Sequence, residues 1–440
     1  MTLRTSLLRE LVNPNLDVGG RAELCCELAK EFENKGEYEE ARELLSGLWP
    51  RLDQRPRVKG LAPDIVAEVL LRAGVLTGWI GSDQEQAKDF ISESLTIFAA
   101  RKYKKKIAEA QIELALCYIR TGEYNNASDL LKLALLEVTT DSELKAKAVL
   151  RSGIVKRQAT LLSEALTYLT NSGPLFHKIN SPLLKGCYHQ TLGDVLKDLC
   201  ELDRAEDYLD RAFLEYTAAS YHFEQAEHRR YLANVENNLG FLYLKINCCK
   251  DAHEHLNRAR RILASLKDRI TLAQVDETRA RVFLKEKRYA EAEEAARSSV
   301  RTLESSDRPS LFAESLKRHG MALARLGHYS AALNTFRRAI DLSQDSFNRA
   351  ADIALTAFQE LGERIAVKEA ITTSGRPLHE ETFLLEHELI KHALENAQGR
   401  VTFAARTLGI SYQRLTHKLR TKHQDLLKDR SPLRHRTKRQ

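Results

Sequence analysis

LGFLYLKINCCKDAHEHLNRA, residues 239–259, carries the pattern that decides the fold. A small residue, Gly240, is followed three positions later by a large one, Tyr243. Ala252 comes twelve positions after Gly240, with Leu256 and Ala259 four and seven beyond it. Apolar and small residues at these intervals fall on one face of a helix, so the stretch reads as two helices joined by a short turn.

The Ala252 position recurs along the chain at Ala41, Ala87, Ala127, Ala165, Ala205, Ala292 and Ala332. A small residue sits twelve positions earlier in most copies: Ala29, Ala115, Gly153, Gly193, Ala280 and Gly320. A large residue follows it by three at Phe32, Tyr118, Leu196, Phe283 and Leu323. Another large residue follows the alanine by four, as Leu45, Ile91, Leu131, Leu169, Leu209 or Phe336. Glycine turns recur between the paired helices, as in Lys35-Gly36-Glu37-Tyr38, Thr121-Gly122-Glu123-Tyr124 and Leu326-Gly327-His328-Tyr329. The copy before Ala87 is the weakest, with Gly74, Gly78, Trp79 and Gly81 off pattern, and Lys156 stands where its copy calls for an apolar residue.

These residues resemble the tetratricopeptide repeat family. No copy has the family's tryptophan, and the period is near 40 rather than about 34, which predicts longer helices or loops. The resemblance implies an all-α, right-handed helical solenoid. Small residues let paired helices approach, large ones fill the gap, and stacking neighbours complete the core. We expect an N-terminal segment over 1–20, about eight helix pairs over 21–345, and a capping helix over 346–373. The inner surface should be lined by the first helix of each pair. Candidate groove residues are Arg120, Arg157, Gln190, Asp194, Lys197, Asn234, Asn237, Phe241, Lys245, Arg281, Lys317 and Arg325. Their mixed chemistry names no ligand; a protein or peptide segment is the expected partner, and solvated surface is the plain alternative for each.

Thr372-Thr373-Ser374-Gly375-Arg376-Pro377 breaks the pattern and suggests a linker over 374–379. The next helix, 380–397, has an apolar stripe of Phe383, Leu384, Leu389, Ile390, Ala393 and Leu394. GRVTFAARTLGISYQRLTHKLRTK, residues 399–422, then reads as two short helices around a tight turn. Ala404 and Ala405 allow a close crossing, Gly409 supplies a left-handed residue, and Ser411 caps the second helix. Leu415 and Leu419 share its buried face.

The run resembles the C-terminal DNA-binding segment of the Fis family through Gly399, Val401, Thr402, Ala404, Ala405, Leu408, Gly409, Ile410, Ser411, Leu415, Lys418 and Leu419. That family often has Asn where Arg400 stands, and Arg and Thr where Tyr412 and Arg414 stand, so its base preference does not carry over. The resemblance implies a helix-turn-helix domain over 380–423 that binds double-stranded DNA as a dimer. The apolar surplus of helix 380–397 offers the homodimer contact. Base edges are assigned to Tyr412, Gln413, Arg414, Thr416 and His417, and phosphates to Thr402, Ser411, Lys418, Arg420 and Lys422.

Charge agrees with this reading. The chain is +7 overall, yet residues 400–440 alone carry +10, so the basicity is local. A basic tail, 424–440, adds phosphate contacts without base readout. Seven cysteines, an odd number without a C-x-x-C, point to reduced thiols and a cytoplasmic, nucleoid-associated protein. No apolar run is long enough for a membrane span. Phosphate-loop, nucleophile-elbow, zinc-helix and dinucleotide motifs are missing, so no enzyme, cofactor or metal is expected. The chain reads as a sequence-specific transcriptional regulator. The competing reading is an interaction scaffold whose basic C-terminus docks a partner or nucleic acid non-specifically.

Overall fold

Seven of the eight marker alanines are 0% exposed: Ala41, Ala87, Ala127, Ala165, Ala252, Ala292 and Ala332. A methyl group at these positions is the largest side chain that lets two helices cross closely. The partner position shows the same economy. A Cβ added at Gly153, Gly240 or Gly320 would come within 2.5, 2.7 and 2.7 Å of Leu169, Leu256 and Phe336 respectively. In these three pairs the large residue of the second helix lies directly on the small residue of the first, as the motif expects; at Gly193 the added Cβ meets Tyr216, 2.8 Å away, rather than Leu209.

The computed structural model describes Leu7, Leu11 and residues 16–81, 83–138, 142–203, 206–306, 308–343 and 378–429. Ala205, the expected capping helix, most of the linker and residues 430–440 lie outside them. Contacts divide the chain into two units, Met1–Leu266 and Lys267–Gln440.

The first unit stacks six helix pairs: α1 (Val18–Lys35) with α2 (Tyr38–Leu44), α3 (Pro63–Ile80) with α4 (Gln84–Ala100), α5 (Lys104–Arg120) with α6 (Tyr124–Glu137), α7 (Ser142–Gln158) with α8 (Leu162–Lys178), α9 (Pro182–Asp203) with α10 (Glu206–Gln225), and α11 (Arg229–Lys245) with α12 (Cys249–Ser265). The second unit holds α13 (Arg269–Lys285) with α14 (Tyr289–Leu303), α15 (Pro309–Arg325) with α16 (Tyr329–Ser343), and a small domain of α17 (Leu378–Asn396), α18 (Val401–Thr407), α19 (Tyr412–Thr421) and a 3-10 turn, Gln424–Asp429. All described regular structure is helical, and the repeats form a helical solenoid.

The long period lies in the helices. α11 and α12 each have 17 residues and are joined by the three-residue turn 246–248. The turns need a left-handed residue, which is glycine at Gly36, Gly122 and Gly327 (φ +73°, +80° and +85°). Elsewhere a longer side chain accepts that conformation, as at Thr160, Asn247 and Lys287. The weak copy before Ala87 is a regular pair. Gly74, thirteen residues before Ala87, takes the close contact, with Ile91 2.5 Å from an added Cβ. The extra residue falls within α3, between Gly74 and the helix end at Ile80, and displaces the pattern without distorting the pair.

Candidate nucleic-acid interface and solenoid cavity

The small C-terminal domain is built around Ile390, Ala393, Leu394, Ala404, Ala405, Leu415, Leu419 and Leu426. Ala404 and Ala405 let α18 cross α19 closely. Gly409 (φ +64°) turns the chain, with Gly409 and Ile410 donating their N–H groups to the carbonyls of Arg406 and Ala405. The Ser411 hydroxyl accepts from Arg414 N at 3.2 Å and caps α19. With Leu415 and Leu419 buried, α19 turns Tyr412, Gln413, Arg414, His417 and Arg420 to solvent. Ser411, Thr402 and Lys422 are exposed beside them. The exposed face is therefore polar and cationic, a surface suited to nucleic acid.

Three expectations need correction. Lys418, assigned to phosphate, is turned inward and ion-paired with Glu386 of α17. The aliphatic stem packs on the domain while its ammonium offsets a half-buried carboxylate, so its charge is already matched. Burial would raise the Glu386 carboxyl, but Lys418 and His423 outweigh it and hold it below the usual range. Thr416, assigned to bases, is half-buried, and its hydroxyl oxygen is enclosed without a hydrogen-bond partner. The domain also runs past its expected end at 423. His423 is 0% exposed, stacks on Phe383 at 4.7 Å, and leads into the turn that buries Leu426. Burial lowers the His423 pKa.

The expected apolar surplus of α17 is divided. Ile390, Ala393 and Leu394 enter the domain core, Leu389 packs against the cluster containing Leu323 and Phe336, and Phe383 and Leu384 stay about 40% and 39% exposed. Phe403, 52% exposed with Arg400 over its ring, and Arg406 are also displayed by α18. They were missed because base edges were assigned to the second helix alone, α18 supplying only Thr402, to phosphate.

The first unit contains a cavity of about 250 Å³. It is lined by the first helices α1, α3, α5, α7, α9 and α11, together with Tyr38 of α2 and His228. At its centre Arg72, 2% exposed, is ion-paired with Glu33 and, at 2.7 Å, with Glu109. Lys30 also meets Glu109 at 2.7 Å. Burial raises the Glu109 carboxyl less than Arg72, Lys30 and Lys106 lower it, so it is held below the ordinary range. For Glu33 burial prevails over Arg72, and the carboxyl is pushed up to about 7.

One side of the cavity is closed by residues nearly two hundred positions apart. Arg230 donates from Nε to the Gly36 carbonyl at 2.9 Å and from NH2 to Glu39 at 2.8 Å. Lys35 meets Glu227 at 2.5 Å. Tyr38 stacks on Trp79 at 4.8 Å, and His228 on Tyr231 at 3.9 Å. A Cβ on Gly36 would lie 2.6 Å from the His228 ring, so the turn between α1 and α2 must be bare for this approach. Burial lowers the His228 pKa to about 4; its Nδ1 accepts from Tyr231 N, as a neutral ring can.

Residues 384–421 match the family described as bacterial regulatory protein, Fis family, and residues 313–346 match tetratricopeptide repeat. The chain carries a tetratricopeptide repeat and a C-terminal Fis-type helix-turn-helix. Among solved structures it is similar to a Rap protein complexed with Competence and Sporulation Factor (15% identity, 93% of this chain and 99% of that chain covered, TM-score 0.54). It is also similar to the apo quorum sensor NprR from B. thuringiensis (12% identity, 77% and 92% covered, TM-score 0.51). Aspartyl phosphate phosphatase F from Bacillus subtilis is a further likeness (14% identity, 78% and 88% covered, TM-score 0.51). These likenesses establish the shared helical solenoid. No curated protein matches. The modules found are binding and regulatory ones, and no described helix is long and apolar enough to cross a membrane.

Within the tetratricopeptide solenoid, the structure brings Arg157, Gln190 and Asp194 together on the cavity wall. Arg157 is paired with Asp198 at 2.7 Å and Asp194 at 3.3 Å. Arg120 is not on that wall; it lies over the Trp79 ring at 4.1 Å and is bonded to the Gly78 carbonyl. Lys197, Phe241 and Lys245 form a separate ladder, the two ammoniums 6.0 and 5.1 Å from the Phe241 ring. Asn234 and Asn237 are half-buried on α11. In the second unit Arg281 is tied to Glu277 at 2.7 Å, while Arg325 is exposed. Lys317 is a correction: it is 1% exposed, paired with Glu314 at 3.1 Å, and burial lowers its pKa to about 8, so it is no open groove residue. Sequence reasoning missed Glu33, Arg72, Glu109, Glu113, Lys147 and Arg151. Their i, i+4 spacing on first helices (Glu109 and Glu113, Lys147 and Arg151) was the available signal.

Proposed function

We propose that this chain is a sequence-specific regulator of transcription: its Fis-type domain reads double-stranded DNA through the major groove, and its tetratricopeptide solenoid receives a protein or peptide. The carrying observation is the face of α19, where Tyr412, Gln413, Arg414, His417 and Arg420 stand exposed over buried Leu415 and Leu419. A helix of this kind, set against a second by a tight turn, enters the major groove with its first residues at base edges. Arg414 is the strongest specificity candidate, because a bidentate guanidinium–guanine pair discriminates by about 1–3 kcal/mol. Thr402, Ser411, Arg420 and Lys422 hold phosphates in this reading, and Lys418 does not.

Phe383 and Leu384, exposed on α17, would meet a second copy and give a homodimer whose two recognition helices address half-sites about one helical turn apart. A cytoplasmic, nucleoid-associated location follows from DNA as the partner. The complexed Rap structure shows a related solenoid with a bound factor, which supports the receiving role.

The test is selection of full-length protein on a random duplex library at two salt concentrations. Enrichment of a two-fold-symmetric motif is the expected result. Salt-sensitive binding without enrichment would move the scaffold reading to the front.

A further inference from the structure

We infer that the facing imidazoles of His387 and His423 form a proton-released clasp: with His423 neutral they hold the end of α19 and the turn after it against α17, and protonation of His423 lets that end go. The clasp does not depend on what the domain binds; that it controls DNA rests on the reading proposed above. His387 lies on α17, one helical turn after Phe383, and His423 follows the last turn of α19. Their Nδ1 atoms are 3.3 Å apart. His423 is fully enclosed, with the Phe383 ring stacked on it at 4.7 Å. The charged groups that face the pair come from three elements. Glu386 of α17 lies 3.5 Å from His423 Nε2, Asp425 of the 3-10 turn lies 3.3 Å from His387 Nε2, and Lys418 of α19 is ion-paired with Glu386.

Hydrogen count makes this contact sensitive to protons. A neutral imidazole carries one N–H and one acceptor nitrogen, so two neutral rings, or one neutral and one charged, share a single hydrogen between their Nδ1 atoms. Two imidazolium rings cannot. Each would turn an N–H toward the other, and the bond becomes a contact between like charges in an enclosed site. Asp425 faces His387, so the first added proton is held on that ring and the second falls on His423. Little compensates it there, because Glu386 is already matched by Lys418. Burial lowers the His423 pKa from its ordinary 6.5; Glu386 only partly opposes this, and His387 and Lys418 add to it. The unfolded domain therefore takes up this proton first as pH falls. The clasp is complete above pH 6.5 and weakens below it.

His423 is placed to transmit the change. Its N–H donates to the Lys418 carbonyl, and its own carbonyl accepts from Leu426 N, both at 3.1 Å. It is the joint between α19 and the 3-10 turn that buries Leu426 in the domain core. An imidazolium drawn out to water takes Leu426 and the last turn of α19 with it, and that turn carries Arg420.

The test is peptide-resolved hydrogen exchange on the full chain at about pH 7.5 and about pH 5.5, corrected for the intrinsic pH dependence of exchange. Residues 419–429 should lose protection by about tenfold or more on acidification. His423→Phe keeps the stack on Phe383 and takes no proton, so the step should vanish. His387→Gln keeps a partner that can donate or accept and carries no charge, so the step should shrink by about threefold or more, and this variant decides the matter if His423→Phe fails to fold. A flat profile in the natural chain, or an undiminished step in the variants, would overturn the clasp. Binding to random-sequence duplex DNA is measured alongside. Acid adds positive charge to a cationic face and by itself tightens its hold on phosphates, so weaker binding at the lower pH, restored in His387→Gln, is the expected result. The exchange step without weaker binding would overturn control of DNA by the clasp. No DNA binding at either pH would remove the proposed function instead, with the exchange step still deciding the clasp.

Discussion

α19 and α7 both present cations, and they do so in opposite ways. On α19, Arg414 and Arg420 stand in solvent with no enclosing wall, while Leu415 and Leu419 anchor the helix from behind. On α7, Lys147, Arg151 and Arg157 line a cavity whose wall also holds four carboxylates, Glu33, Glu109, Glu113 and Asp194. An open cationic face of this kind suits an extended polyanion, to which attraction is long-range and screened by salt. In the cavity, by contrast, charges meet at short range, as buried Arg72 does with Glu33 and Glu109, and such pairs are screened less by salt. The chain thus carries an open cationic face on one helix and, on another, cations set among carboxylates.

The largest expected effect breaks the chamber. Arg72→Ala would leave Glu33 and Glu109 buried without their central cation, a loss of roughly 3–5 kcal/mol in solenoid stability. Chemical denaturation with separate probes for the solenoid and the Fis-type domain should show the first transition shifted and the second unchanged. Equal shifts would mean that the two regions do not melt independently.

The next effect concerns the closure. His228 has a folded pKa of about 4 against an ordinary 6.5, so the unfolded chain takes up its proton first as pH falls. The neutral ring's contribution is complete above pH 6.5 and is lost progressively between 6.5 and 4, amounting to roughly 2 kcal/mol at pH 5. Thermal melts from pH 7 to pH 5 should therefore fall more steeply for the natural chain than for His228→Gln. Parallel curves would show that the ring is not held neutral by burial against Phe223, Tyr231 and Gly36.

Gly409→Val attacks the open face through its turn. A β-branched residue at φ +64° costs about 1–3 kcal/mol, enough to undo a domain this small. DNA binding should disappear while the solenoid keeps its melting transition. The smallest effect is Arg420→Ala, which should weaken binding to all sequences alike and lower the salt slope by about 1.

Local packing was legible from sequence because its partners lie close together in the chain. Gly240 and Leu256, or Ala404 and Leu415, are set at helical intervals, and volume alone assigns them. Burial of charge was not. Lys418 and Lys317 look like surface residues by type; the position of Glu386 shows that the first is turned inward, and packing around α15 buries the second although its partner Glu314 is one turn away. The closure was not legible either, since Gly36 and Arg230 are separated by 194 positions and meet only once several helix pairs have been stacked. Turns without glycine, such as Lys287 at φ +63°, escaped because a strained non-glycine residue leaves no compositional mark. The exposed face of α19 could be named from helical phase, but Thr416 shows the limit of that method: one rotation step decides between surface and core.

The central claim is that the exposed face of α19 reads bases in the major groove. Methylation interference with the full chain on its selected duplex tests this most directly, because guanine N7 lies in that groove. The account predicts two patches of interference about one helical turn apart, with the patches lost in Arg414→Ala. Binding indifferent to N7 methylation, and unchanged in preference by Arg414→Ala, would contradict it.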